Sequence, residues 1–199
     1  MQPRAQLTQT NILAAATAVF ARDGYAGARV EQIAEEAGVN KQRIYAYFES
    51  KAGLFRAVLR RSVEELTQAE TALLETGEGT TGTLAGEMLR HYMAFHQSHP
   101  AFWRILAWAN LQGEHGLVVE LLGARDWVFS HLERLYRLGQ ERGQKPDGVS
   151  FQTFLFLTFA ISFFYHANAR TMSETLGMDL LDAEVRERIL AECALVLDH

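Results

Sequence analysis

Residues 38 to 48 read GVNKQRIYAYF, and their side chains suit one kind of chemistry. Lys41 and Arg43 are cations, Gln42 carries an amide donor and an acceptor, and Tyr45 and Tyr47 carry hydroxyls. Arginine grips guanine O6 and N7, and glutamine pairs with adenine, each with two hydrogen bonds. Tyrosine hydroxyls suit phosphate oxygens, which fix a register without reading sequence. Further cations stand nearby: Arg29 ahead of the segment, and Lys51 just after Ser50. Nothing comparable points to catalysis. The chain has no nucleophile elbow, no phosphate-cradling glycine loop and no carboxylate pair with a defined partner, so the reading is that it is not an enzyme.

These residues need elements to aim them. Almost the whole chain reads as helix, with only three prolines and no sustained alternation of period two. A first helix is expected from about Thr8 to Asp23, with Ile12, Ala16, Val19 and Phe20 on one face and Gly24 as its stop. A second, near 29 to 37, sets Val30, Ile33, Ala34 and Ala37 on one side. Gly38 ends it, and Asn40 can cap a third helix two residues later. Two short helices joined so tightly must cross steeply, which is the helix-turn-helix arrangement. At about 100° per residue, Ile44 and Phe48 face the first two helices. Gln42, Arg43 and the small Ala46 then point the opposite way, with Tyr45 and Tyr47 on the flanks. Lys41 lies in the first turn, within swing of a phosphate. Ser50 is expected to cap a fourth helix, whose N-terminus with Lys51 makes a natural phosphate site. Leu54, Phe55, Val58 and Leu59 would dock that helix on the first three.

Charge and composition agree. Residues 1 to 62 carry a net +4 and the remainder −9, which together give the formal −5. A basic module for a polyanion, attached to an acidic body, fits that asymmetry. A single cysteine, Cys193, leaves no intramolecular disulfide and suits a reducing compartment. The opening MQPRAQLTQT has no apolar signal region, and the run FQTFLFLTFAISFF at 151 to 164 is broken by Gln152, Thr153, Thr158 and Ser162. A buried helix in a cytoplasmic protein, with no membrane partner, is the expectation.

From the second helix through Lys51 the sequence resembles the TetR-type transcriptional regulators. The resemblance covers about residues 8 to 60 and is most specific from Ile33-Ala34, through Gly38-Val39 and Ile44-Tyr45-Ala46-Tyr47-Phe48, to Ser50-Lys51. It implies that the third helix is the recognition helix and that Lys41, Gln42, Arg43, Tyr45, Tyr47 and Lys51 touch DNA. One departure is Ala28-Arg29 before the second helix, where hydroxyl residues are usual. The implied fold is all-α with about nine helices. A three-helix DNA-binding domain at 1–50 is joined by a fourth helix to a larger ligand-binding and dimerisation domain at 51–199. By family habit the protein is a homodimeric repressor on a palindromic double-stranded operator, released by a small molecule, with no cofactor.

The body says less. A glycine-rich linker, TGEGTTG at 76 to 82, precedes a fifth helix at about 83 to 98, and Pro100 opens a sixth. A seventh is expected from about Leu117 to Gly139, an eighth from Ser150 to Ala169 and a ninth from Asp182 to Leu197. The eighth is apolar nearly all round, so a second subunit should cover part of it, with Phe156, Phe159 and Phe163 as interface candidates. Tyr92, His96, Phe102, Trp103, Trp108, Trp127 and Tyr165 admit two roles, the lining of a pocket for a small hydrophobic or aromatic ligand or ordinary core. Tyr165 and His166 equally suit a dimer contact. His91, His96 and His99 do not make a metal site, because an i, i+5 pair is poorly placed on a helix and no cysteine or carboxylate completes the shell. A helical adaptor that binds protein instead of DNA is the alternative; steep salt dependence of duplex binding separates the two.

Overall fold

The computed structural model describes residues 3–76, 83–111, 126–145 and 148–198. Among them are nine α-helices and no strand, an all-α fold. These are α1 (Pro3–Gly27), α2 (Val30–Glu36), α3 (Lys41–Phe48), α4 (Lys51–Thr76), α5 (Leu84–Ser98), α6 (Pro100–Leu111), α7 (Asp126–Glu141), α8 (Phe151–Leu176) and α9 (Ala183–Asp198). No helix among the described residues is long and apolar enough to cross a membrane. The expected linker residues 77–82, and the start of the seventh helix before residue 126, lie outside the described residues.

The chain divides into two compact units, with the break inside α4 after Leu66. The first unit holds α1 to α3, the front of α4 and also α6. Its core joins Ile12, Val19 and Phe20 of α1, Ile33 of α2, Ile44 and Phe48 of α3, Leu54 and Phe55 of α4, and Ile105 and Ala109 of α6. Three short helices alone bury too little apolar surface for a stable core, and α4 and α6 supply the missing faces.

Local chemistry explains the joints. Gly24 lies at φ 69 and ψ 175, so the first helix breaks where its stop was expected and adds one turn to Gly27. The α1 start at Pro3 precedes the expected Thr8, because propensity continues the helix beyond its apolar stripe. Asn40 accepts a hydrogen bond from the Arg43 amide at 2.8 Å, as the cap reading requires. Ser50 does the same for the Gly53 amide at 3.0 Å. Arg29 stands at the N-cap of α2 without a side-chain cap, and Ala28 before it is buried in the core. Ala28 serves packing, and it is Arg29 that occupies the position where a hydroxyl would cap the helix.

Glu49, between α3 and α4, was not anticipated. It takes φ 64 and ψ −43, and the Ser50 amide donates across it to the Phe48 carbonyl at 2.6 Å. This is the strained form of γ-turn, which sets the angle between α3 and α4. Glu49→Gly is expected to stabilise the protein by up to about 1 kcal/mol, because relief of the positive φ exceeds the added entropy of the unfolded chain. Urea denaturation measures it, and a loss of stability would contradict the strain.

In the second unit α5 packs on α8 and α9, and α7 on α8. The α8 side that faces inward is Phe151, Phe154, Thr158, Ser162, Tyr165 and Ala169. Thr158 and Ser162 are fully buried, each bonded to a carbonyl of its own helix, at 2.9 Å to Phe154 and 3.3 Å to Phe159. Phe156 and Phe164 are exposed. Small hydroxyl residues thus share the inward side with Phe151, Phe154 and Tyr165, while Phe156 and Phe164 turn outward. The helix ends at Leu176 rather than near Ala169, with Gly177 in the left-handed conformation as its stop. Buried Lys145 pairs with Asp198, tying the loop before α8 to the end of α9.

Candidate nucleic-acid interface

The turn at Gly38 and the Asn40 cap set α3 so that Ile44 and Phe48 are buried, while Gln42, Arg43, Tyr45 and Ala46 are exposed. Lys41 and Tyr47 are half-buried on its flanks. Among the described residues the Arg43 guanidinium and Gln42 amide have no protein partner. This layout presents two side chains chemically suited to base edges beside a methyl group small enough for close approach to a groove floor.

Lys41 is less free than its position in the sequence suggested. It forms an ion pair with Glu31 in the first turn of α2 and lies 5.6 Å from the Tyr45 ring centroid. The hydrogen bond from Lys41 holds the Glu31 carboxyl below its ordinary value, and the same bond raises the lysine. Both groups are in solvent, so a phosphate can replace the carboxylate at little cost. Arg22 bridges Asp23, at 3.0 Å, and Glu36, at 3.1 Å, which ties α1 to α2. Arg29 is exposed at the α2 N-cap.

Lys51 heads α4 and reaches back to the α1 break. Its ammonium lies 4.8 Å from the Tyr25 ring centroid and 3.5 Å from the Ala26 carbonyl. Sequence reasoning passed over Tyr25 and Glu31, because each meets its lysine only through the fold. The unit carries Arg29 at the N-cap of α2, Lys41, Gln42, Arg43, Tyr45 and Tyr47 on α3, and Lys51 at the start of α4.

The ligand candidates are divided between the units. Trp103 and Trp108 belong to the first, where the Trp108 indole lies against Gly24. Tyr92, His96, Trp127 and Tyr165 belong to the second. The Tyr92 hydroxyl donates to buried Glu70 at 2.8 Å, and the Tyr165 hydroxyl to the Leu180 carbonyl at 2.6 Å. Burial, with the His166 ring 5.7 Å away, pushes His96 down to about 4 and keeps it neutral at pH 7. His166 itself bonds the Met93 carbonyl at 3.1 Å. Trp127 is 50% exposed. A cleft of about 510 Å³ opens between α7 and the start of α8, lined by Glu133, Arg137, Gln140 and Gln152 among others, and by none of these candidates. Among the described residues no three His, Cys, Asp or Glu are placed to hold a metal ion. Of the interface candidates, Phe156 is exposed, Phe163 is half-buried, and Phe159 lies 4.5 Å from the Tyr92 ring.

Comparison with known proteins agrees with this arrangement. The family described as "Bacterial regulatory proteins, tetR family" matches residues 12–58, and "Tetracyclin repressor-like, C-terminal domain" matches residues 86–195. The chain is 32% identical over 185 residues to the HTH-type transcriptional repressor NicS of Pseudomonas putida, covering 92% of this chain and 87% of that one. It is 34% identical over 158 residues to the HTH-type transcriptional repressor SCO4008 of Streptomyces coelicolor, covering 79% and 77%. Among solved structures, the transcriptional regulator SCO4942 of Streptomyces coelicolor superposes with a TM-score of 0.69 at 26% identity, covering 94% of this chain and 96% of that one. With a helix-turn-helix unit that presents its third helix and matches along both halves of its length, this chain belongs to the TetR family of DNA-binding transcriptional regulators and is not an enzyme.

Proposed function

We propose that the protein is a cytoplasmic repressor that binds a palindromic operator as a homodimer and is released by a small hydrophobic or aromatic ligand. The observation that carries this reading is the exposed row Gln42, Arg43 and Ala46 on α3, backed by buried Ile44 and Phe48. In this division of labour residues 1–50 read DNA, and residues 51–199 bind the ligand and form the dimer. Gln42 and Arg43 contact base edges, while Arg29, Lys41, Tyr45, Tyr47 and Lys51 hold phosphates. A dimer through α8 and α9 would hold two recognition helices about 34–36 Å apart, one turn of duplex. Ligand binding would tilt the two α4 helices and change that spacing, and by reciprocity operator DNA weakens ligand binding by the same factor. The repressor direction is supported by the names of the two relatives.

The direct test is selection of bound duplexes from a random pool. A two-fold symmetric site should emerge; a pool without enrichment would remove the sequence-reading role. On the selected site, Arg43→Ala is expected to lose about 1–3 kcal/mol and to relax preference at one base position in each half-site. A uniform loss on all sequences would make Arg43 a phosphate contact instead.

A further inference from the structure

We propose that Tyr25 is a positioning residue for Lys51: its ring, with the Ala26 carbonyl, holds the ammonium in place before DNA arrives. The inference rests on Lys51 as a phosphate contact and goes beyond it, since Tyr25 belongs to a different helix and touches no base or phosphate in that reading.

Three observations carry it. The Lys51 ammonium lies 4.8 Å from the Tyr25 ring centroid, within the range of a cation–π contact. The same ammonium is 3.5 Å from the Ala26 carbonyl, so two consecutive residues of α1 form its seat. The ring itself is fixed: Phe20 stacks on it at 6.2 Å, and Phe55 meets it at 5.1 Å with a tilt of 56°. The end of α1 at Gly27 makes the seat available, because the Ala26 carbonyl is among the last four of its helix and has no intrahelical donor.

The physical consequence concerns freedom. Lysine has a four-carbon stem, and fixing it on a phosphate costs rotamer entropy. A lysine already stacked on a rigid ring has lost that freedom in the free protein, so less is lost on binding. Cation–π attraction does not bond the ammonium protons, which leaves donors for a phosphate oxygen.

The experiment uses the full-length protein and a duplex of about 30 base pairs of arbitrary sequence at low salt, since a phosphate contact acts on every sequence. Tyr25→Phe keeps the ring and should bind within about twofold of wild type. Tyr25→Leu loses it and should bind about two- to fivefold more weakly. In a Lys51→Ala background Tyr25→Leu should have no further effect. An equal loss in both backgrounds would make Tyr25 a core residue only and overturn the proposal. A second readout needs no mutation of Tyr25. In the free wild-type protein the ε-methylene protons of Lys51, assigned by their absence in Lys51→Ala, should be shifted upfield by the ring. Ordinary lysine positions would overturn the proposal. The underlying assignment fails separately: Lys51→Ala with unchanged affinity and salt slope would take Lys51 off the DNA, even if the ring-current shift reported the contact in the free protein.

Discussion

Gly24→Ala is expected to destabilise the protein by roughly 1–5 kcal/mol, through two mechanisms. At φ 69 and ψ 175 the backbone is in a region open essentially to glycine alone, and another residue there costs about 1–3 kcal/mol. The added methyl would also meet Trp108, with Cε2 at 2.7 Å and Cδ2 and Cζ2 at 2.9 Å from the ideal Cβ position. The indole would have to shift within a packed face, and overpacking of this kind costs about 1–3 kcal/mol more. A slightly stiffer unfolded chain returns about 0.4–1 kcal/mol. For a chain of this length the melting temperature should fall by roughly 2–20 °C. Calorimetry or urea denaturation checks the value. The two mechanisms separate in a Trp108→Leu background, where the collision is gone but the dihedral strain remains. There the same substitution should cost about half as much, a non-additivity of the size found between touching residues. A Gly24→Ala protein within about 0.5 kcal/mol of wild type would mean that the chain does not take this turn.

The same glycine shows what the sequence made legible and what it did not. Gly24 was readable as a helix stop, because apolar spacing ends there and glycine tolerates the break. Trp108 as the ring that fills the space beside it was not readable, since 84 positions separate the two and no period connects them. The reading face followed from local rules alone. Asn40 is a cap, the helical period assigns Ile44 and Phe48 inward, and Gln42, Arg43 and Ala46 must then face out. The partners of the cations did not follow. Glu31 reaches Lys41 only because α2 and α3 cross at a particular angle, and Tyr25 reaches Lys51 only because α1 and α4 do. The γ-turn at Glu49 left no signal at all, because glutamate is a poor marker of positive φ. In the second unit hydropathy misled in detail. Thr158 and Ser162 looked like interruptions of an apolar run, yet they are its most deeply buried positions, and their hydroxyls close on carbonyls one turn back. Local hydrogen bonding removes the cost of burying a small hydroxyl, which a hydropathy scale cannot represent.

That inversion sharpens the prediction about the dimer. Although Phe151, Phe154 and Tyr165 face inward with the small residues of α8, other rings face outward: Phe156 is 69% exposed and Phe164 53%, with Leu157 also exposed. On α9, Leu195 and Val196 are exposed as well. Exposed apolar residues on both helices are candidates for an interface, and we propose that they meet a second copy of this chain. The three phenylalanines then cease to be equivalent. Phe159 lies 4.5 Å from the Tyr92 ring, so Phe159→Glu would put a charge inside the protomer and should unfold it. Among the described residues Phe156 meets no other ring, and it faces solvent, so Phe156→Glu should leave the protomer folded with a wild-type helical spectrum. In a two-fold interface the change occurs twice. At about 3 kcal/mol for each uncompensated buried charge, the dimer should weaken by about 6 kcal/mol, or more than four decades in its dissociation constant. The variant should sediment as a monomer at micromolar concentration. Its α3 side chains are untouched, so each half-site can still be bound, but the second contact is no longer intramolecular, and affinity for the full operator should drop by about 10²–10⁴. Phe156→Tyr, which keeps the ring, should remain a dimer. Either a Phe156→Glu protein that stays dimeric or a wild-type protein that sediments as a monomer at micromolar concentration would take this face of α8 out of the assembly.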